Sequence, residues 1–369
     1  MAKKSEKSGK SELTSLADVL NEYGVDRPTT FVDTGIDTLN DILGGGIARG
    51  SSYAMWGVAG CGKSTIAAQT LRSFCRQGLK CVLVDTERAW NDLQLQSFGL
   101  WEYKESGLLI HLTVRDYAQL EDVCKVISSD QDAGISFAVF DSMSELEAYA
   151  DKTLTVKDCR PGIKASQASF LLPRIKNWFA DADIASLWLF HARANLQMGI
   201  PNPYAPKDRQ DGGYAALHVP DAIIKLSVGF KLKEKEGDTE EVYGVELFME
   251  ATKNKFSKPF RQKKVKLIFG QGVSKRYATI DEAVASGVIR KSGASYSLPW
   301  GEKFFGVKKL YAMEHTTLKR LYEYLRTNGA SEVGTNPGIL AHVDPAVNPS
   351  DLDPETGELL SPEGSISNL

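Results

Sequence analysis

Eight consecutive residues, Gly57-Val58-Ala59-Gly60-Cys61-Gly62-Lys63-Ser64, fit the spacing G-x-x-x-x-G-K-[ST]. Glycines at these positions let backbone N–H groups turn inward around phosphate oxygens. The lysine ammonium reaches the β- and γ-phosphates, and the following hydroxyl suits Mg²⁺. The chemistry implied is binding of a nucleoside triphosphate such as ATP, with Thr65 closing the set. Such a loop works only between a strand and a helix whose N-terminus adds positive potential. The apolar run Tyr53–Trp56 predicts that strand, and 63–77 predicts the helix.

Two carboxylates have the placement to act on a bound triphosphate. Asp141 ends the apolar run Phe137-Ala138-Val139-Phe140, the strand-end position from which an Asp supports Mg²⁺ in such enzymes. Its bland alternative is an Asp that caps the next loop. Glu87 follows the strand Cys81–Asp85 and is placed to orient and deprotonate a water, or else is an exposed first-turn Glu.

The elements that must position these groups alternate. Strands are expected at Tyr53–Trp56, Cys81–Asp85, Phe137–Asp141 and Ser186–Phe190, with helices over 63–77, 117–128 and 165–180. Apolar strands separated by helices mean a parallel sheet covered on both faces. After Pro220, the strands Ala222–Val228, Val242–Ala251 and 264–269 have short polar links and predict an antiparallel extension. Upstream, Ile36, Leu39, Ile42 and Leu43 followed by Gly44-Gly45-Gly46 predict a helix stopped by glycine. An amphipathic helix is expected at 15–26.

The order of phosphate loop, Asp85-Thr86-Glu87 and Val139-Phe140-Asp141-Ser142 resembles the RecA-type recombinases, whose core is shared with replicative helicases and other motors. A later stretch is more specific. Residues 251–262, Ala-Thr-Lys-Asn-Lys-Phe-Ser-Lys-Pro-Phe-Arg-Gln, look like the bacterial recombinase segment that crosses the subunit interface. Phe269-Gly270-Gln271-Gly272-Val273, Gly287-Val288-Ile289, residues 292–297 and Gly301-Glu302-Lys303 continue the likeness, which spans roughly 30–330. It implies an α/β fold: a RecA-like P-loop NTPase core with a mostly parallel sheet plus antiparallel extension, and a small α/β C-terminal lobe. Composition and pattern divide the chain into a disordered 1–14, a short helix and linker at 15–29, a core at 30–278, a small lobe at 279–330 and an acidic disordered tail at 331–369.

The resemblance also implies roles. Lys63, Ser64 and Asp141 bind ATP and Mg²⁺, and Glu87 is catalytic. Lys253 and Lys255 reach the neighbouring subunit's ATP, so that a homo-oligomeric filament is needed for hydrolysis. His191 stands where bacterial members carry a γ-phosphate-sensing Gln; phage-encoded members can carry His there, and this chain is expected to be one. A His can donate to phosphate, with sensing then dependent on pH. Gly212-Gly213 matches the double glycine that closes the family's second DNA loop, and the stretch from Tyr214 to Asp221 diverges from the family.

Two segments without clear periodicity match the family's DNA loops. The first, 152–164, carries Lys157, Arg160 and Lys164; the second, 194–211, carries Lys207 and Arg209, with Arg193 at its entrance. Basic side chains there neutralise phosphates without reading sequence. Ile163, Leu196, Met198 or Ile200 are candidates to wedge between bases. The expected function is ATP-dependent homologous pairing and strand exchange on single-stranded DNA, with duplex DNA and single-strand-binding or mediator proteins as further partners. A ring-forming helicase of the same core, or a mediator that binds DNA without exchange, are the alternatives.

The 369 residues, 42% apolar and 25% charged, suit a soluble protein of about two domains with tails, without a membrane span. Five scattered cysteines argue against a disulfide framework and for a cytoplasmic setting. The formal charge of −3 argues weakly against nucleic acid. It is unevenly spread, however. Residues 327–369 hold seven acids and no Lys or Arg, which leaves 44 basic against 40 acidic residues in the body. The acidic tail is expected to compete with DNA for the basic loops.

Overall fold

The computed structural model describes residues 29–149, 162–194, 208–236 and 239–328, with backbone alone at 234–236, 239 and 328. The expected helix at 15–26, both expected disordered ends, and Lys157, Arg160, Leu196, Met198, Ile200 and Lys207 lie outside the described residues. The chain divides after Thr30, and the unit that begins at Phe31 carries every element of secondary structure among the described residues.

The elements run β1 Phe31–Val32, α1 Asp37–Leu43, β2 Ile47–Ala48, β3 Ser52–Gly57, α2 Lys63–Arg76 and β4 Lys80–Asp85. Next come α3 Asp92–Ser97, α4 Trp101–Glu105, β5 Leu109–Thr113, α5 Tyr117–Ser129, β6 Ile135–Asp141, α6 Ile163–Asp181, β7 Ala185–Ala194, β8 Asp208–Gln210 and α7 Gly213–His218. Last are β9 Ala222–Glu236, β10 Thr239–Asn254, β11 Gln262–Ile268, β12 Gly272–Val273, α8 Lys275–Ala285, β13 Arg290–Ser292, β14 Ser295–Ser297, β15 Lys303–Phe305, α9 Val307–Tyr311 and α10 His315–Asn328.

One sheet organises most of this. Its order is β12-β11-β10-β9-β3-β7-β6-β4-β5, with β8 paired to β7. Strands β9, β3, β7, β6, β4 and β5 are parallel, and β10, β11 and β12 add antiparallel to β9. The mixed α/β fold expected from the alternation is therefore present. Every residue of β6 is buried, because helices cover both faces, and its sequence is accordingly almost all apolar. On one face Leu71 and Phe74 of α2 pack among Met55, Leu83 and Val139, with the Phe74 and Phe137 rings 4.3 Å apart. On the other, Leu120 and Cys124 of α5 and Leu172 and Phe179 of α6 pack on Phe140 and Trp188.

Helix α1 ends as the glycine run predicts. Gly44 takes φ 93° and donates its N–H to the carbonyls of Asn40 and Asp41. Strand β5 is not evident in the sequence, because Leu-Ile-His-Leu-Thr at the sheet edge is only partly buried and places His111 where the neighbouring strands carry Leu83 and Val139. A lobe with its own core, including Ile280, Ile289, Leu310 and Leu321, is built from the three-stranded sheet β13-β14-β15 and helices α8, α9 and α10. Helix α8 runs across the 278/279 boundary expected from sequence. No helix among the described residues is long and apolar enough to cross a membrane.

Candidate functional site

At the C-terminal ends of the parallel strands lies a cleft of about 370 Å³. Ala59, Gly60, Gly62, Lys63, Ser64, Thr65, Glu87, Asp141 and His191 line it, together with Gln94, Phe98, Leu267 and Phe269. The loop from β3 to α2 turns on Gly60 and Gly62, at φ 73° and 90°. A Cβ on Gly62 would stand 2.5 Å from Leu267 Cδ1, so both conformation and space demand glycine there. The first N–H groups of α2 have no acceptor within the helix and mark this end as an anion site. Lys63 is buried, and its Nζ donates to the carbonyls of Gly57 and Val58, each at 3.1 Å. An ammonium held by neutral groups, these two carbonyls and the Cys61 Sγ at 4.0 Å, is ready for an anion.

The Ser64 hydroxyl lies near the Asp141 carboxylate and favours its charged form, and Asp141 Oδ2 accepts the indole N–H of Trp90 at 2.9 Å. Burial holds the Asp141 carboxyl above its ordinary value, and the nearby Glu87 adds to this. A hydroxyl beside a carboxylate short of positive charge is an oxygen donor set that suits a hard cation such as Mg²⁺. Among the described residues no three acidic, His or Cys side chains gather as a metal cage.

Glu87 sits on a loop that Asp85 fixes. The buried Asp85 carboxylate accepts the N–H groups of Glu87, Ala89 and Trp90 at 3.1, 3.3 and 3.1 Å. Although burial opposes it, these bonds and the neighbouring His111 imidazole hold Asp85 below its usual carboxylate value. Within this loop Arg88 takes φ 56°. That left-handed conformation costs about 1–2 kcal/mol and persists because the Asp85 bonds determine it.

The Glu87 Oε1 stands 3.0 Å from His191 Nε2. The Ser142 hydroxyl is 3.3 Å from the same nitrogen, and Glu145 lies 3.6 Å away. The His191 contact is the main reason Glu87 stays below its usual value and His191 is lifted above its own. The strand pairing places His191 directly beside Gly57, at the mouth of the phosphate loop.

The basic loop residues divide. Arg193 and Arg209 are cross-strand partners in the β7–β8 hairpin, so the stem of the second expected loop is regular structure. Arg193 pairs with Asp211 at 2.9 Å, and both arginines are exposed. Gly212, at φ 91°, starts α7; a Cβ there would lie 2.6 Å from Phe190 Cε1. Gly213 comes next at φ 70°. Lys164 turns inward instead, donating to the Ser144 carbonyl, and burial lowers its ammonium's value.

Lys253 and Lys255 lie away from the cleft. Lys253 Nζ donates to the carbonyls of His218 at 2.7 Å and Leu217 at 3.4 Å, and Lys255 Nζ pairs with Asp221 at 2.9 Å. The Asp221 carboxylate accepts the Ser52 N–H, at the opposite end of β3 from Gly57. Five residues of strand span about 16 Å, so the cleft and these lysines occupy opposite edges of the sheet.

Trp90, Gln94 and Phe98 are not legible in the sequence as site residues. They belong to a loop and a short helix of ordinary composition, and only the fold brings them to the cleft.

A phosphate loop at a parallel sheet's C-terminal edge, with Glu87 and Asp141 converging on it, defines a P-loop NTPase of the RecA-like architecture. Residues 3–274 match the RecA N-terminal domain, and the chain belongs to the RecA family. It is 29% identical to Protein RecA of Ectopseudomonas oleovorans over 267 residues, 72% of this chain and 73% of the relative. It is 27% identical to Protein RecA of Rhizobium rhizogenes over 290 residues, 78% and 75% of the two chains, and 27% identical to Protein RecA of Arthrospira platensis over 266 residues, 72% and 69%. Membership places the chain in DNA recombination and repair, in a family of DNA-dependent ATPases that use ATP with Mg²⁺.

Proposed function

We propose that this protein assembles as a filament on single-stranded DNA, pairs it with homologous duplex and exchanges strands, with ATP held between neighbouring copies. The observation that carries this is the separation on one chain of the nucleotide cleft from Lys253 and Lys255, about 16 Å apart along β3. Lysines at the far edge serve a triphosphate only if another copy brings it to them, head to tail, and such contacts extend into a polymer unless the rotation closes.

Within the cleft, Lys63 exchanges the carbonyls of Gly57 and Val58 for phosphate oxygens. Ser64 and Asp141 hold Mg²⁺, which when bound offsets charge on the β- and γ-phosphates. Glu87, kept ionised by His191, orients a water and takes its proton. His191 is placed to exchange Glu87 for a γ-phosphate oxygen, making the water's base and the phosphate sensor one hydrogen-bonded pair. Arg193 and Arg209, exposed on the β7–β8 hairpin, contact DNA phosphates.

The test is a joint-molecule assay with circular single-stranded DNA, homologous linear duplex and ATP. Joint molecules are expected with the wild type and none with Lys63→Ala. Failure of the wild type to form them under conditions of DNA-stimulated ATP turnover would leave a motor or a mediator in place of a recombinase.

A further inference from the structure

Behind Lys253 and Lys255 stands a carboxylate engaged from three sides. Asp221 Oδ2 accepts the Ser52 N–H at 3.1 Å, while Oδ1 takes the ammonium groups of Lys176, from α6, and of Lys255. Its backbone N–H donates to the Ser52 carbonyl at 2.7 Å, and its own carbonyl accepts the Lys255 N–H at 3.1 Å. The Asp221 side chain is 10% exposed and that of Lys255 56%. Lys176 donates also to the Val219 carbonyl at 2.9 Å, which fixes it against the chain between α7 and β9.

Charge and entropy have separate consequences here. One carboxylate faces two ammonium groups, so Lys176 offsets Asp221 and leaves the charge of Lys255 uncompensated. With Lys253 beside them the four groups sum to +2, a receptor for an anion. A free lysine must also give up much rotamer freedom when it binds, whereas one already tethered near its working position gives up less.

We propose that Asp221, clamped by Lys176 and Ser52, is a positioning residue that pre-sets Lys255 for the triphosphate presented by a neighbouring copy. This rests on the reading that Lys253 and Lys255 act on that triphosphate. Asp221 itself touches no substrate; it lowers the entropic cost of recruiting Lys255 without neutralising it.

The experiment measures ATP turnover by the full-length protein on single-stranded DNA as a function of ATP concentration. Asp221→Asn is expected to raise the half-saturating ATP concentration about tenfold, the scale of one charge-assisted contact, with a smaller change in kcat. Because Asp221→Asn leaves the Lys176 ammonium without its partner, the double variant Lys176→Met/Asp221→Asn removes the ion pair as a unit. It is expected to show the same rise while keeping the wild-type unfolding midpoint within a few degrees. In a Lys255→Ala background, Asp221→Asn is expected to add nothing. Losses that add in full, or an unchanged half-saturation in the folded double variant, would overturn the proposal while the shared-ATP reading stands. If Lys253→Ala and Lys255→Ala leave DNA-stimulated turnover intact, it is that reading which falls.

Discussion

On the proposed mechanism, the His191–Glu87 pair should make ATP turnover depend on pH in a way that one substitution removes. Their side chains are 29% and 31% exposed and their atoms 3.0 Å apart. A hydrogen bond between charged groups is worth about 1.5–3 kcal/mol when shielded, and partial exposure reduces this one to about 1 kcal/mol. As the proposed general base, Glu87 would have to leave that bond to accept a proton from water, so a charged His191 should slow the step about fivefold. His191 is lifted above its ordinary 6.5 chiefly by Glu87, and Glu87 lies below its ordinary 4.5 chiefly by His191. The rate should therefore rise about fivefold as pH increases through the lifted His191 value. His191→Gln donates without titrating and should give a flat profile over the same range. Stability moves oppositely. The pair contributes in full from about pH 4.5 to 6.5, and its contribution is lost as pH rises through the His191 value or falls through the Glu87 value. The unfolding free energy of wild type should exceed that of His191→Gln by about 1 kcal/mol in that window and converge above it. Steady-state ATP turnover on single-stranded DNA from pH 6 to 9, with urea unfolding alongside, reads both. A His191→Gln profile as steep as wild type would refute the reasoning.

Three further outcomes are expected. Glu87→Gln should keep ATP-dependent DNA binding while turnover falls at least about 100-fold, since a general base contributes on that scale; a gel-shift and a phosphate-release assay separate the two. Trp90→Phe removes the indole donor from the buried Asp141 Oδ2 and should cost about 1–3 kcal/mol in urea unfolding. Gly212→Ala places a methyl 2.6 Å from Phe190 at φ 91° and should destabilise by about 1–3 kcal/mol, with weaker DNA binding by fluorescence anisotropy.

Much of the architecture is legible in the sequence because the inner strands are buried on both faces and are largely apolar. That makes β3, β4, β6 and β7 stand out, and the residues at their C-terminal ends, Gly57, Asp85, Asp141 and His191, then fall together once the strands are parallel. Other features obey a different physics and leave no local trace. The edge strand β5 needs no apolar face on its open side. Trp90 and Asp221 act through bonds to residues 51 and 169 positions away, which no local pattern announces. The inward turn of Lys164 depends on the Ser144 carbonyl, placed by the loop after β6. The basic patches are partly legible: composition marks Arg193 and Arg209 as loop residues, yet their side-by-side register in a hairpin is a product of pairing alone.

The most direct measurement is electron microscopy of the protein with single-stranded DNA and a non-hydrolysable ATP analogue, beside Lys63→Ala. Continuous helical filaments with the wild type and none with the variant are the expected result, because in the proposed assembly nucleotide held by Lys63 is the contact that Lys253 and Lys255 of the next copy complete. Closed rings, or wild-type filaments that form equally well without nucleotide, would contradict it.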